Sequence, residues 1–431
     1  MSDRLTASNS GALSGTIDVP GDKSMSHRAL IFAGLATGET RIEGLLEGDD
    51  VLSTARALQA LGVEVERVGD GTWRVVGSEW ASPQAPVDCG NSGTGARLLM
   101  GAAAGFPITV TFTGDESLSR RPMRRVLDPL RAMGARVEAA AGDCLPATIS
   151  GGGLHGITFR NTKASAQVKS AILLAGLRAT GDIVIIEPVA SRDHSETMLR
   201  AMGVDVATDG DRIALGQQRS LSAVDTVIPG DPSSAAFPIV AALLCPGSAV
   251  TARAVMLNPL RTGLFATLAE MGADIDYANR RRQSGEEVAD IVVRASPLHG
   301  VTVSADRAPS MIDEYPILAI AAAFAGGTTV MHGLAELRVK ESDRLAAIIA
   351  GLQACGVEAR EDGDSLIVEG CGGCVRGAAT IDANHDHRLA MSFLVLGLAS
   401  EQPVTVTGAE TIATSFPTFV PLMRALGAGL T

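Results

Sequence analysis

The apolar positions of this chain form one phrase that recurs six times: an amphipathic stretch, a glycine, then a short run of β character. The phrases are LQALGVEVE (58–66), LRAMGARVE (130–138), LRAMGVDVA (199–207), LAEMGADID (268–276), LQACGVEAR (352–360) and LMRALGAGL (422–430). Their glycines, Gly62, Gly134, Gly203, Gly272, Gly356 and Gly427, recur at intervals of about 70 residues, the mark of one supersecondary unit used six times. In the first unit Val51, Ala55, Leu58 and Leu61 repeat at helical spacing, which predicts a one-faced helix. Gly62 then suits a left-handed C-cap, and VEVERV (63–68) leaves it as a strand. The interval from Gly272 to Gly356 is longer. The charged stretch NRRRQSGEEVAD (279–290) accounts for the difference as a surface excursion.

A second pattern sits between these phrases. RALIFAGLA (28–36), ARLLMGAAAG (96–105), VKSAILLAGL (168–177), AAFPIVAALL (235–244), YPILAIAAAFA (315–325) and RLAMSFLVLGLA (388–399) are apolar nearly all round, which predicts buried helices. Strands such as ITVTF (108–112), DIVIIE (182–187) and PVTVTG (403–408) follow them. The fold class is therefore α/β. At 431 residues the chain exceeds what one core usually covers, and six units divide most naturally into two domains of three.

Composition narrows the function. A net charge of −12 and 3% aromatic residues argue against a nucleic-acid binder, which needs a basic face and stacking rings. No apolar run reaches the length of a membrane span, and MSDRLTASNSGALSG lacks the apolar core of a signal peptide. The expectation is a cytoplasmic protein with neither nucleic acid nor membrane as partner. The six cysteines (Cys89, Cys144, Cys245, Cys355, Cys371, Cys374) are too scattered for a disulfide scaffold. Cys371 and Cys374 form a CxxC that His385 and His387 follow, so zinc is conceivable. A single CxxC in a Gly-rich turn between two β-like runs speaks for no metal.

Each buried helix starts in a polar motif. GDKSMSHR (21–28) puts Lys23, Ser24 and Arg28 at a helix N-terminus, where backbone N–H groups and the dipole already favour an anion. The cations oppose that dipole, so the motif reads either as a capped helix with solvated cations or as an anion site. The pattern then repeats in GNSGTGAR (90–97), KASAQVK (163–169) and HDHR (385–388), with SRRPMRR (119–125), SRDHSE (191–196) and RVKESDR (338–344) ahead of the one-faced helices. So many cations at matching phases of an acidic chain point to a cleft for a multiply anionic small ligand. Lys23, Arg121, Lys340, Arg344 and Arg388 are its prime candidates.

Carboxylates lie in the same places. Asp313, in SMIDEYP, and Glu341, beside Lys340, could take a proton from a substrate hydroxyl. The plainer readings are an N-cap for Asp313 and, for RVKESDR, an exposed helix start laced with ion pairs. No GxSxG elbow or dinucleotide fingerprint occurs, and Cys89 reads as a buried thiol.

Taken in order, PGDKSMSHRAL, GNSGTGARL, RRPM, SAQVKSA, GDPSSAAF, RVKESDR and DHRLAMSF resemble the enolpyruvyl transferases, from about residue 14 to the C-terminus. The resemblance implies a two-domain inside-out α/β barrel of six βαβαββ-type units, with residues 1–20 and 229–431 in one domain and 21–228 in the other. It implies transfer of the enolpyruvyl group of phosphoenolpyruvate to the 5-hydroxyl of shikimate 3-phosphate through a tetrahedral intermediate, by a monomer without metal or organic cofactor. Ser24 and Arg28 would hold the shikimate carboxylate; Ser165, the backbone at Ala166, and Lys340 its phosphate. Lys23, Arg121, Gln167, Arg344 and Arg388 would surround phosphoenolpyruvate, with Gly93 close by. Lys23, Gln167 and Asp313 would also touch shikimate 3-phosphate. Asp313 would accept the hydroxyl proton, Glu341 with Lys23 would manage the methylene proton, and His387 would assist. Domain closure would bring both cation sets together and exclude water.

Two positions depart from the pattern. Many members have Ser at Ala166 and Lys at Thr414, which puts single phosphate contacts in question; the resemblance implies that Arg192, in SRDHSE and present in the subgroup this chain resembles, would supply one back. Gly93 leaves room beside phosphoenolpyruvate, which implies inhibition by glyphosate. Two rivals stand: the sister transferase acting on UDP-N-acetylglucosamine, whose mobile-loop Cys has no counterpart in GDESLSRRPM (114–123), and a non-catalytic anion-binding repeat scaffold.

Overall fold

The computed structural model describes residues 3–431. The chain divides into two units. The inserted unit is Gly21–Ile228 with Gln283–Gly285; the flanking unit is the chain up to Pro20, Pro229–Arg282 and Glu286–Thr431.

Each unit carries three sheets of one design. In the inserted unit, Val87–Asp88 and Thr109–Thr113 run parallel, Cys144–Ser150 pairs antiparallel with the latter, and Arg136–Ala140 closes the outer edge. The spatial order is thus first, second, fourth, third. His155–Arg160, Thr180–Ile186, Arg212–Leu215 and Val206–Asp209 repeat it. The parallel pair needs a crossover, and in both of these sheets a buried helix supplies it.

The edge strands come from unexpected places. Thr226–Val227, at the end of the inserted segment, fills the first place in the sheet of Glu39–Glu43. Ser14–Asp18 does the same for the sheet of Ala249–Met256 in the flanking unit. In the sixth sheet, Arg4–Ala7 pairs with Val404–Thr407, and Thr6 exchanges backbone hydrogen bonds with Thr431 at 2.8 and 2.9 Å. The two chain ends therefore complete the sixth unit.

The six apolar stretches are the central helices: Lys23–Leu35, Gly93–Ala104, Ala166–Gly176, Pro232–Leu244, Tyr315–Phe324 and His387–Ala399. All are buried over most of their length. The three of the flanking unit pack pairwise on one another, and in the inserted unit Gly93–Ala104 packs on both of its fellows. Small residues allow this: a Cβ at Gly101 would stand 2.4 Å from the Ala171 carbonyl oxygen. Helices lie within and one-sided sheets outside, as the inside-out reading implies, and no sheet closes into a barrel among the described residues.

The glycines of the six phrases all have left-handed backbone, with φ of 91° at Gly62, 102° at Gly134, 90° at Gly203, 94° at Gly272, 85° at Gly356 and 101° at Gly427. That is the C-cap role expected of them. The charged stretch 279–290 is largely exposed over its first half, as a surface excursion should be. It is a hairpin, Asp274–Gln283 with Glu286–Arg294, turning at Ser284 and Gly285 with φ of 48° and 87°. Two positive φ values in a two-residue loop match the twist of the flanking strands. Among the described residues, no helix is long and apolar enough to cross a membrane.

Candidate active site

In the inserted unit the N-termini of the three central helices are tied together by side chains. Asp22 caps the first helix through Met25 N–H (2.7 Å), Ser92 the second through Gly95 N–H (3.0 Å), and Ser165 the third through Val168 N–H (3.5 Å). His27 links two of them, with Nδ1 on the Thr54 hydroxyl at 2.8 Å and Nε2 on Ser92 Oγ at 3.3 Å. Burial, with Lys23 and Arg28 nearby, lowers the His27 pKa to about 3, so the ring is neutral. Arg97 donates to Gln167 Oε1 at 2.7 Å, and Gln167 donates to the Thr94 hydroxyl at 2.8 Å.

Cations gather around these ends. Lys23 pairs with Asp50 at 2.8 Å. Arg28 is buried and donates to Ser195 Oγ (2.8 Å), Ser170 Oγ (2.7 Å) and the Ser24 carbonyl (2.9 Å). Arg121, also buried, donates to Asn91 Oδ1 (2.8 Å) and Ser117 Oγ (3.1 Å). Gly93 lies beneath both guanidinium groups: a Cβ there would stand 2.9 Å from Arg97 Nη1 and 3.3 Å from Arg121 Nη1. Ser165, Ala166 and Gln167 are half-buried on the first turn of the third helix, and Arg192 is half-buried just before helix His194–Ala201. A cavity of about 430 Å³ lies at the far end of these helices, lined by Leu35, Ala102 and Leu174 near their C-termini, and so belongs to none of the motifs.

The flanking unit builds its site on carboxylates. Asp313 Oδ1 accepts from Lys340 at 3.1 Å and from Arg344 at 3.3 Å. Arg344, only 1% exposed, also pairs with Glu341 at 2.6 Å and Asp386 at 2.7 Å. Burial works against its charge, and Asp386, Glu341 and Asp313 outweigh that, leaving the pKa raised. Asp386 is fully buried, caps the sixth central helix through Arg388 N–H at 3.0 Å and accepts from Ser342 at 3.1 Å. Arg388 reaches the Asp313 carbonyl at 3.2 Å and Glu314 at 3.7 Å. Glu314 in turn accepts from Ser233, which Arg261 holds at 2.8 Å. His387 is buried, with Nδ1 3.3 Å from the hydroxyl of Thr414, one of the two departure positions.

The motifs thus converge within each unit, and several local readings change. Asp313 is not an N-cap: helix Tyr315–Phe324 starts after Glu314 with no side-chain cap, and Pro316 brings no N–H to be capped. RVKESDR is an exposed ion-pair cluster only on its outer side, where Arg338 meets Asp343 and Glu361. Lys169 turns inward to Glu187 and Glu196. Cys89 is buried, with its thiol pushed up to about 12 by burial and Asp88. Cys371 and Cys374 are exposed, Cys374 lies on Glu401, and the pair does not gather with His385 and His387 as a ligand set. Sequence reasoning missed Arg97, Asp50, Glu314, Arg261 and Asp386. Arg97 had a signal, its place one helical turn after Gly93; the others act through partners distant in sequence.

The sequence profile described as EPSP synthase (3-phosphoshikimate 1-carboxyvinyltransferase) matches residues 7–423. The chain belongs to the EPSP synthase family. It is 57% identical to the 3-phosphoshikimate 1-carboxyvinyltransferase of Phenylobacterium zucineum, covering 98% of this chain and 95% of that one. The enzyme of that name from Parvibaculum lavamentivorans is 58% identical, covering 98% and 96%. The solved EPSP synthase of Acinetobacter baumannii superposes with a TM-score of 0.89 at 42% identity, covering 99% of both chains. An enolpyruvyl transferase from Streptomyces tendae, 21% identical with a TM-score of 0.77 over 99% and 98%, shares the fold. In family terms, the six sheets and their central helices are the framework that carries the two groups of motifs.

Proposed function

We propose that the chain transfers the enolpyruvyl group of phosphoenolpyruvate to the 5-hydroxyl of shikimate 3-phosphate and releases phosphate, a step of aromatic amino-acid biosynthesis. Family membership over nearly the whole chain supports the reaction. The observation that carries the residue roles is the cluster in which Asp313 meets Lys340 and Arg344 while Glu341 meets the same Arg344. An acceptor for a hydroxyl proton lies there among cations suited to a phosphate or carboxylate.

The chemistry follows from what the substrates need. Asp313 takes the 5-hydroxyl proton as that oxygen bonds to the central carbon of phosphoenolpyruvate. The methylene carbon gains a proton, giving a tetrahedral adduct. Losing a proton from that carbon and expelling phosphate restores the double bond. Glu341, Lys23 and His387 are the proposed groups for the carbon proton. Arg121, Arg344, Arg388, Lys23 and Gln167 bind phosphoenolpyruvate beside Gly93. Ser24, Arg28, Ser165, Ala166, Gln167, Arg192, Lys340, Lys23 and Asp313 bind shikimate 3-phosphate. Cations held in place before the reaction stabilise the adduct without reorganising.

Phosphate release from phosphoenolpyruvate, with shikimate 3-phosphate or UDP-N-acetylglucosamine as acceptor and no added metal, tests the proposal. Release with shikimate 3-phosphate alone is expected. Release with neither, from folded protein, would leave only an anion-binding scaffold. The reading includes inhibition by glyphosate, a cytoplasmic location and a monomer, the last checked by size-exclusion chromatography with light scattering.

A further inference from the structure

Lys169 stands on the first turns of the third central helix, three residues after Ala166, and is 1% exposed. Its ammonium has three donors, and three acceptors surround it: Glu187 Oε2 at 2.8 Å, Glu196 Oε1 at 2.7 Å and the Ser191 carbonyl at 3.3 Å. Burial pushes the Glu196 carboxyl up while Lys169 pulls it back. Glu187 is shared more widely. Its Oε1 accepts from Asn161 Nδ2 at 2.6 Å and from Ser191 Oγ at 2.7 Å, and its Oε2 from Ser191 N–H at 3.3 Å.

Both arms of this network end on backbone next to substrate residues. Asn161 donates to the Ser165 carbonyl at 3.1 Å and accepts from Ser165 N–H at 3.3 Å, spanning Ala164, whose φ is +47°. A residue with a Cβ keeps that conformation only where its surroundings over-determine it. On the other arm, the N–H, hydroxyl and carbonyl of Ser191 are all engaged, one residue before Arg192. Buried ion pairs add little net stability, because desolvation offsets their attraction. Stability alone therefore does not explain three buried charges placed here.

We infer that Lys169 and Glu187 are positioning residues that fix Ser165 and Arg192 to receive the phosphate of shikimate 3-phosphate. The inference rests on the functional reading above. It assigns the network to one substrate, and to one end of it.

The test compares wild type, Lys169→Met and Ser191→Ala by KM for each substrate and by the Kd of shikimate, which lacks the phosphate. Lys169→Met is expected to raise the KM for shikimate 3-phosphate about ten-fold, the factor of one misplaced charge-assisted hydrogen bond. The KM for phosphoenolpyruvate and the Kd of shikimate stay at their wild-type values. Ser191→Ala, which keeps every charge, is expected to raise the same KM about three-fold. Equal losses for shikimate 3-phosphate and shikimate, or no loss in folded variants, would overturn the inference. Should Lys169→Met not fold, Ser191→Ala decides alone. A wild-type chain that does not bind shikimate 3-phosphate would instead overturn the functional reading.

Discussion

The two groups of motifs hold their cations differently. In the inserted unit, Arg28, Arg97 and Arg121 donate to hydroxyl, amide and carbonyl oxygens of Ser195, Ser170, Ser24, Gln167, Asn91 and Ser117. In the flanking unit, Lys340 and Arg344 rest on Asp313, Glu341 and Asp386, with Arg388 near Glu314. A neutral partner fixes the direction of a guanidinium and leaves its charge acting on a ligand. A carboxylate partner fixes direction, offsets charge and is itself a base. Under the proposed function, the contrast would divide the labour: anion capture on one set of helix ends, proton transfer on the other. Lys23, on Asp50, and Lys169, on Glu187 and Glu196, rest on carboxylates in the inserted unit as well.

The strongest way to break this contrast is Asp313→Asn. It removes the base and keeps the shape, so kcat is expected to fall about 10³-fold. Turnover within an order of magnitude of wild type would take Asp313 out of the chemistry. Asp386→Asn probes the carboxylate support instead. It strips a charge from beside the buried Arg344 and is expected to cost about 3 kcal/mol of stability. Urea denaturation measures this, and an unchanged midpoint would mean that Glu341 and Asp313 suffice.

His27 sharpens the view of the neutral side. Its folded pKa, about 3, lies below the ordinary value of 6.5, so below pH 6.5 the unfolded chain binds the extra proton. Its contribution is therefore intact above that pH and is lost as pH falls. About 2 kcal/mol should go between pH 6.5 and 5. In His27→Gln, denaturation at those two pH values should show that slope removed; an identical slope would place the pH dependence elsewhere. The smallest change is Gly93→Ala. The added methyl crowds Arg97 and Arg121, and the KM for phosphoenolpyruvate should rise about ten-fold, the effect of one displaced charge-assisted contact. Equal increases for both substrates would contradict the placement of phosphoenolpyruvate beside Gly93.

Much of this was written in local pattern. The six phrases gave the units, their glycines gave the C-caps, and all-round apolar stretches gave the central helices. Each depends on residues within a few positions of one another. The polar helix starts also located the motifs, and periodicity placed them at equivalent ends. What periodicity does not carry is the partner of each charge. Lys23 and Lys169 both open buried helices next to serines. One meets Asp50 at the half-buried helix end and the other is swallowed between Glu187 and Glu196.

The sequence by itself therefore determined an α/β protein of six repeats, its buried helices and the composition of its cation-rich motifs. Tertiary structure decided which strands complete which sheets: Arg4–Ala7 beside Val404–Thr407, Ser14–Asp18 beside Ala249–Met256, and Thr226–Val227 beside Glu39–Glu43. It also decided which cations rest on carboxylates and which on hydroxyls. Helix periodicity and caps arise from contacts a turn apart, which a linear pattern records. Edge pairing and ion pairing join residues tens to hundreds of positions apart, where only the packed chain sets the distance.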